Sequence, residues 1–177
     1  MHDDFANLSA ILQGRYSCRA YLKQEVDAQT ISEMVAAASR VPTWCNAQPW
    51  EVLVTRGQAT ARLAEDLVKA AETSAMELDV PWPREYTGDY LARRRACGHQ
   101  LYEAVGIERG DAARRKQQMI ENFRFFGAPH AAIITSEADL GSYGSMDCGG
   151  FIAALTRAAQ AKGLASVVQA SAAGYAP

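Results

Sequence analysis

RYSCRAY, Arg15 to Tyr21, sets arginine, serine and arginine at alternate positions. In an extended segment, side chains two apart point the same way and stand roughly 7 Å from one another. Arg15, Ser17 and Arg19 then form one row of two cations and a hydroxyl, while Cys18 and Ala20 face packing. Such a row suits a phosphate and a second electron-rich group further along. The plainer alternative is that both arginines pair with surface carboxylates. A second stretch, PTWCNAQPW from Pro42 to Trp50, narrows the choice. Asn46 and Gln48 are amides able to read polar ring edges, Thr43 adds a hydroxyl, and Trp44 and Trp50 add flat apolar surface, with Trp50 equally suited to a core. Together the two stretches suit an anionic, flat, aromatic ligand.

The rest of the chain supplies a scaffold for them. Its 177 residues suffice for one domain with a core, and 49% hydrophobic with 21% charged is an ordinary globular balance. The net charge of −2 gives no bulk attraction to nucleic acid. The basic runs ARRRACGH and AARRKQQ sit beside Glu85, Asp89, Glu108 and Asp111 and read as solvated helix faces. No apolar run approaches the roughly 20 residues that span a bilayer. The opening MHDDFANLSAILQG does not read as a secretory signal. Cys18, Cys45, Cys97 and Cys148 are scattered and read as free thiols of a reducing compartment, so a cytoplasmic location is expected.

Apolar spacing predicts a helix through Phe5, Leu8, Ile11 and Leu12, ended near Gly14, and a second one capped by Asp27 and stopped by Pro42. WEVLVT reads as a strand, and an alanine-rich helix follows from about Gln58 to Ala75. Pro81 and Pro83 enforce a loop carrying Trp82, Tyr86 and Tyr90. Amphipathic stretches at 91–105 and 111–125 follow. HAAIITS reads as a buried strand, GSYGSMDCGG as a glycine-rich turn into a helix, and LASVVQAS as a third strand. Few strands without regular alternation predict an α+β fold.

In order and spacing, RYSCRAY, a helix, PTWCNAQPW and a strand resemble the N-terminal part of the FMN-dependent nitroreductase family. FFGAPHAAIITSE and GGFIAALTRAAQAKGLASVVQAS extend the similarity over nearly the whole chain. The resemblance implies a single nitroreductase-like domain over residues 1–177, with a central, mostly antiparallel sheet flanked by helices. It implies FMN held by Arg15, Tyr16, Ser17 and Arg19, with Arg15 and Ser17 near the phosphate and ribityl chain and Arg19 near the pyrimidine edge. Pro42, Thr43, Trp44 and Asn46 match a segment that reaches FMN across a homodimer interface, with Gln48 beside them. Gln169, Ala170 and Ser171 match a strand end whose backbone approaches the central flavin ring.

The implied reaction passes hydride from NAD(P)H through flavin N5 to a nitroaromatic, quinone or enone in two steps. It requires neither a protein nucleophile nor a metal, which suits a sequence without an evident triad. Partners would be a second copy and a small aromatic or quinone-like substrate, with no nucleic acid and no membrane. Family members continue through a further strand and a C-terminal arm, whereas this sequence stops at AAGYAP, so a shortened domain with weaker FMN affinity is expected. The alternative function is a flavin-binding relative or truncated product without turnover. Trp82, Tyr86, Phe123 and Phe125 are candidate substrate-facing aromatics or core. Asp147 is a candidate acid or a helix cap. GSYGSMDCGG lacks the spacing of a dinucleotide or phosphate loop, and Cys97 with His99 lacks further zinc-like partners.

Overall fold

The computed structural model describes residues 3–175. Contacts divide it into two compact units, one made of the chain up to Leu63 with Phe125–Val168, the other of Ala64–Arg124 with the chain from Gln169.

The first unit opens with α1, Asp4–Gly14, whose N-terminus is capped by the Asp3 carboxylate accepting from the Ala6 N–H at 2.9 Å. Helix α2, Ala28–Ala38, starts where Asp27 accepts from the Thr30 N–H at 2.8 Å and its hydroxyl at 2.7 Å. That helix ends at Ala38, earlier than Pro42 requires, its end tightening to bonds three residues back, from the Arg40 N–H to the Ala37 carbonyl at 3.2 Å and from the Val41 N–H to the Ala38 carbonyl at 3.3 Å. Strand β1, Glu51–Val54, pairs antiparallel with β2, Ala132–Thr135, Val52 opposite Ile134 and Val54 opposite Ala132. Alternate β1 residues are half-buried, as period-two patterning requires. Helix α3, Gln58–Thr73, begins in this unit, and its buried Thr60 hydroxyl lies 3.0 Å from the Pro129 carbonyl and 2.9 Å from the Thr55 hydroxyl.

The second unit carries the rest of α3, α4 (Gly88–Ala104) and α5 (Ala112–Ile120). Arg114 of α5 donates to the Gly106 and Val105 carbonyls at 2.6 and 3.2 Å, satisfying orphan acceptors where α4 ends. Leu67, Ile107, Ile120 and Phe123 are buried, and Tyr175 meets Phe123 edge-on, with centroids 5.4 Å apart.

The first unit's core is built on α6, Gly141–Ala161. It packs against α1 and α2, and Phe151, fully buried, stacks on Trp50 with centroids 4.8 Å apart. GSYGSMDCGG is therefore helix and not a turn. Gly144 explains part of the composition: a Cβ there would lie 2.9 Å from both Leu140 Cβ and Ser136 Oγ, closer than side chains tolerate. LASVVQAS also departs from expectation. It makes a single parallel bridge, Ser166 to Ser17, and the chain then coils into a 3-10 turn at Ser171–Tyr175, whose alanines and glycine offer little to a strand. The stretch from 111 stops being α-helical at Ile120 and runs on as turns, with Phe125, Phe126 and Gly127 all at positive φ.

Helices α2 and α6 are tied by Lys162, whose ammonium lies 2.6 Å from Glu33. Hydrogen bonding from Thr30 holds the Asp27 carboxyl below its ordinary range, and Lys162 does the same for Glu33. A carboxyl whose pKa is lower folded than unfolded contributes stability that is complete above the ordinary carboxylate range and is lost as pH falls through the folded value. Stability should therefore fall on acidification below about pH 4. Urea midpoints across that range should fall less steeply in an Asp27→Asn, Glu33→Gln double variant. Equal slopes would remove these two carboxylates from the account.

Candidate functional site

Arg15 stands at the end of α1 in extended conformation, its N–H bonded to the Ile11 carbonyl at 3.2 Å. Two residues on, Ser17 bridges to Ser166, and the Cys18 N–H donates to the Ser166 carbonyl at 3.1 Å. Cys18 is buried, while Ser17, Arg19 and also Ala20 are exposed. Tyr21 donates its hydroxyl to the Cys18 carbonyl at 3.1 Å, and burial pushes its phenol above the usual range, so it stays protonated. Among the described residues neither Arg15 nor Arg19 has a carboxylate within ion-pair distance. The cations thus line an extended stretch without being neutralised by it. Ser166 Oγ is buried and lacks a hydrogen-bond partner among the described residues, directly across the bridge from Ser17.

The second stretch forms a turn built on strain. Cys45, Asn46 and Gln48 have φ of 51°, 57° and 46°, a region that costs a non-glycine residue on the order of 1 kcal/mol or more. Asparagine bears it best; the others are held by contacts. The Gln48 N–H donates to Thr43 Oγ1 at 3.2 Å, and the Gln48 amide donates to Asn46 Oδ1 at 3.0 Å. The Trp44 N–H donates to Asp147 of α6 at 3.1 Å, and its indole lies 4.9 Å from the Tyr143 ring. Asp147 is thus neither a helix-start cap nor a free acid but the anchor of this turn. Pro42 precedes the turn and Trp50, locked on Phe151, closes it. Trp44, Asn46 and Gln48 remain exposed at its tip.

Gln169, Ala170 and Ser171 belong to the second unit. Gln169 donates its amide to the Asn122 carbonyl at 2.9 Å, which fixes the chain just before the final turn. Phe123 and Phe125 are buried and serve packing, whereas Trp82 and Tyr86 are exposed. His130 has both ring nitrogens engaged. Its Nε2 accepts from the Val26 N–H at 2.9 Å and its Nδ1 faces the Thr55 carbonyl at 3.0 Å, so it splices two segments rather than serving a cysteine. Burial pushes the Cys148 thiol up, away from thiolate chemistry.

Sequence reasoning missed the left-handed pair Phe125–Phe126, of which Phe126 lies beside the opening row: the Arg19 guanidinium lies 6.0 Å from the Phe126 ring centroid. The one local signal was Gly127, next in line at φ 79°.

The profile of the nitroreductase family matches residues 12–176. Nitroreductase NfnB of Mycolicibacterium smegmatis is 34% identical over 161 residues, covering 90% of this chain and 69% of that protein. A 4-nitrobenzoate reductase of Nocardioides sp. (strain LMS-CY) is 30% identical over 167 residues, covering 92% and 68%. The crystal structure of FMN-dependent nitroreductase NfnB from Mycobacterium smegmatis, in complex with NADPH, superposes with a TM-score of 0.93 at 32% identity, covering 98% of this chain and 79% of that one.

Proposed function

The chain belongs to the nitroreductase family, and from that premise we propose that it is an FMN-dependent oxidoreductase that carries electrons from NAD(P)H to a nitroaromatic, quinone or enone in two alternating half-reactions. The observation that carries this reading is the un-neutralised row of Arg15, Ser17 and Arg19 beside the orphaned Ser166 hydroxyl. A phosphorylated, electron-rich ligand answers that donor set. The residues present therefore fit FMN.

In this assignment Arg15 and Ser17 take the phosphate and ribityl chain, Arg19 takes the pyrimidine edge, and Tyr16 completes the FMN-holding stretch. Bound FMN supplies a ring that takes two electrons with a proton from reduced nicotinamide and returns them to an acceptor. Arg19 offers positive charge where electron density gathers, which favours the reduced state. The turn from Pro42 through Thr43, Trp44, Asn46 and Gln48 presents amides and an indole to the flat ligand or acceptor. Its strained backbone, fixed by Asp147 and Trp50, holds them without reorganisation. Gln169, Ala170 and Ser171 are assigned to the flavin by resemblance, and residues 1–177 to one functional domain.

The working unit is proposed to be a homodimer, as the resemblance implies. Phe5, 78% exposed, lines α1 with exposed Leu8 and Leu12, and Met146, 61% exposed, stands on α6 near exposed Tyr143 and Trp44. Apolar surface of that kind is what a second copy would cover. Four free thiols fit a cytoplasmic setting, and no helix among the described residues is long and apolar enough to cross a membrane.

Purified protein mixed with FMN tests the function. Retained flavin absorbance, bleached by NADPH and restored by 4-nitrobenzoate or a quinone, is the expected result. Flavin retained but not bleached would favour the binding relative without turnover, and flavin not retained would exclude both.

A further inference from the structure

Two consecutive phenylalanines hold a backbone conformation that bulky side chains avoid. Phe125 and Phe126 have φ of 55° and 51°, Gly127 follows at 79°, and both rings are buried. Isolated left-handed residues are usually asparagine or glycine; a pair of buried aromatics there is a genuine outlier. Strain of this kind persists only where the surroundings over-determine it.

The surroundings are the segment that follows the opening row. The Arg19 guanidinium lies 6.0 Å from the Phe126 centroid, and its Nη1 donates to the Ser17 carbonyl at 3.4 Å. Four residues on, Lys23 donates its ammonium to the Gly127 carbonyl at 3.3 Å. Three residues further, the Val26 N–H donates to His130. The stretch 126–130 thus grips 19–26 at three points, twice through cations. Lys23 and His130 would serve as well with a relaxed backbone before them. The left-handed turn at 125–126 buries both rings and sets that of Phe126 beside Arg19.

We propose that Phe126 is a positioning residue for Arg19, its ring helping to steer an otherwise exposed guanidinium, with no carboxylate partner among the described residues, toward the electron-rich edge of the flavin. The proposal rests on the assignment of Arg19 to that edge and adds the device that aims it. A cation near an aromatic ring gains modest attraction without losing charge, so the ring can fix the arginine's direction where a carboxylate would neutralise it. A correctly aimed guanidinium stabilises the reduced flavin more than the oxidised one.

The test compares Phe126→Leu, Phe126→Tyr and Arg19→Ala as flavin-loaded proteins. The readout is the midpoint potential of bound FMN, expressed as the ratio of affinities for reduced and oxidised flavin, with thermal melting as the check on folding. Phe126→Leu is expected to lower that ratio about three- to tenfold, Phe126→Tyr to leave it within about twofold because the ring remains, and Arg19→Ala to lower it at least as far as the leucine variant. Should the leucine variant fail to fold, Phe126→Met supplies the same loss of ring with a more adaptable filling. An unchanged ratio without the ring, alongside a lowered one in Arg19→Ala, overturns the role of Phe126 alone. An unchanged ratio in Arg19→Ala overturns the assignment of Arg19 to the flavin edge, and the proposal with it.

Discussion

Replacing Arg15 and Arg19 together by alanine is expected to weaken FMN binding by about two orders of magnitude. A hydrogen bond to a charged group contributes about 1.5–3 kcal/mol, and each 1.4 kcal/mol is about tenfold in affinity. Two such contacts would give a loss of about 3–6 kcal/mol, and the exposure of Arg19 places the expectation at the lower end. Neither side chain holds the fold together through an ion pair among the described residues, so melting of the flavin-free protein should fall only by what the Arg19–Phe126 contact contributes. Titration of apoprotein by quenching of flavin fluorescence measures the affinity. Added salt should weaken the unaltered protein toward the double variant, because part of the attraction is screened. Affinity that survives both substitutions would remove the row from the cofactor site.

How legible these features were depends on where the forces that make them come from. Helix α2 could be read because its start is a local event: Asp27 capping Thr30, followed by apolar residues at helical spacing. Strands β1 and β2 could be read because β-branched residues in short runs have few other uses. The opening row was legible as alternation, and the structure keeps the chain extended there at Arg15 and bridged at Ser17. The strained turns were not legible. Nothing in cysteine, glutamine or phenylalanine announces a positive φ; the turn holding Cys45 and Gln48 is pinned at its ends by Asp147 and Trp50, and that at Phe125 and Phe126 by contacts with residues far back in the chain. The glycine-rich stretch misled for the converse reason. Composition suggests a turn, but Gly144 answers a close approach by Ser136 and Leu140 inside a helix. Asp147 was misplaced along with it, since its role follows from lying within α6 and not at its start.

Phe151→Ala should be the most damaging single core change in the first unit. The ring is fully buried on the helix that packs against α1 and α2, and it stacks on Trp50 with an interplanar angle of 21°. Truncating a buried phenylalanine costs about 3–5 kcal/mol, from lost burial and from the cavity left behind. Against a total stability of about 5–15 kcal/mol that is a large share, and at about 2–4 °C per kcal/mol for a chain of this size the melting point should fall by roughly 6–20 °C. Phe151→Leu, which keeps most of the volume, should cost much less. The consequence reaches the candidate site because Trp50 closes the Thr43–Gln48 turn, and that turn's left-handed residues stay in place only while both its ends are held. At a temperature where Phe151→Ala is still folded, FMN affinity should therefore also fall. A variant that melts early yet binds FMN as tightly as before would show that the turn is held by Asp147 alone.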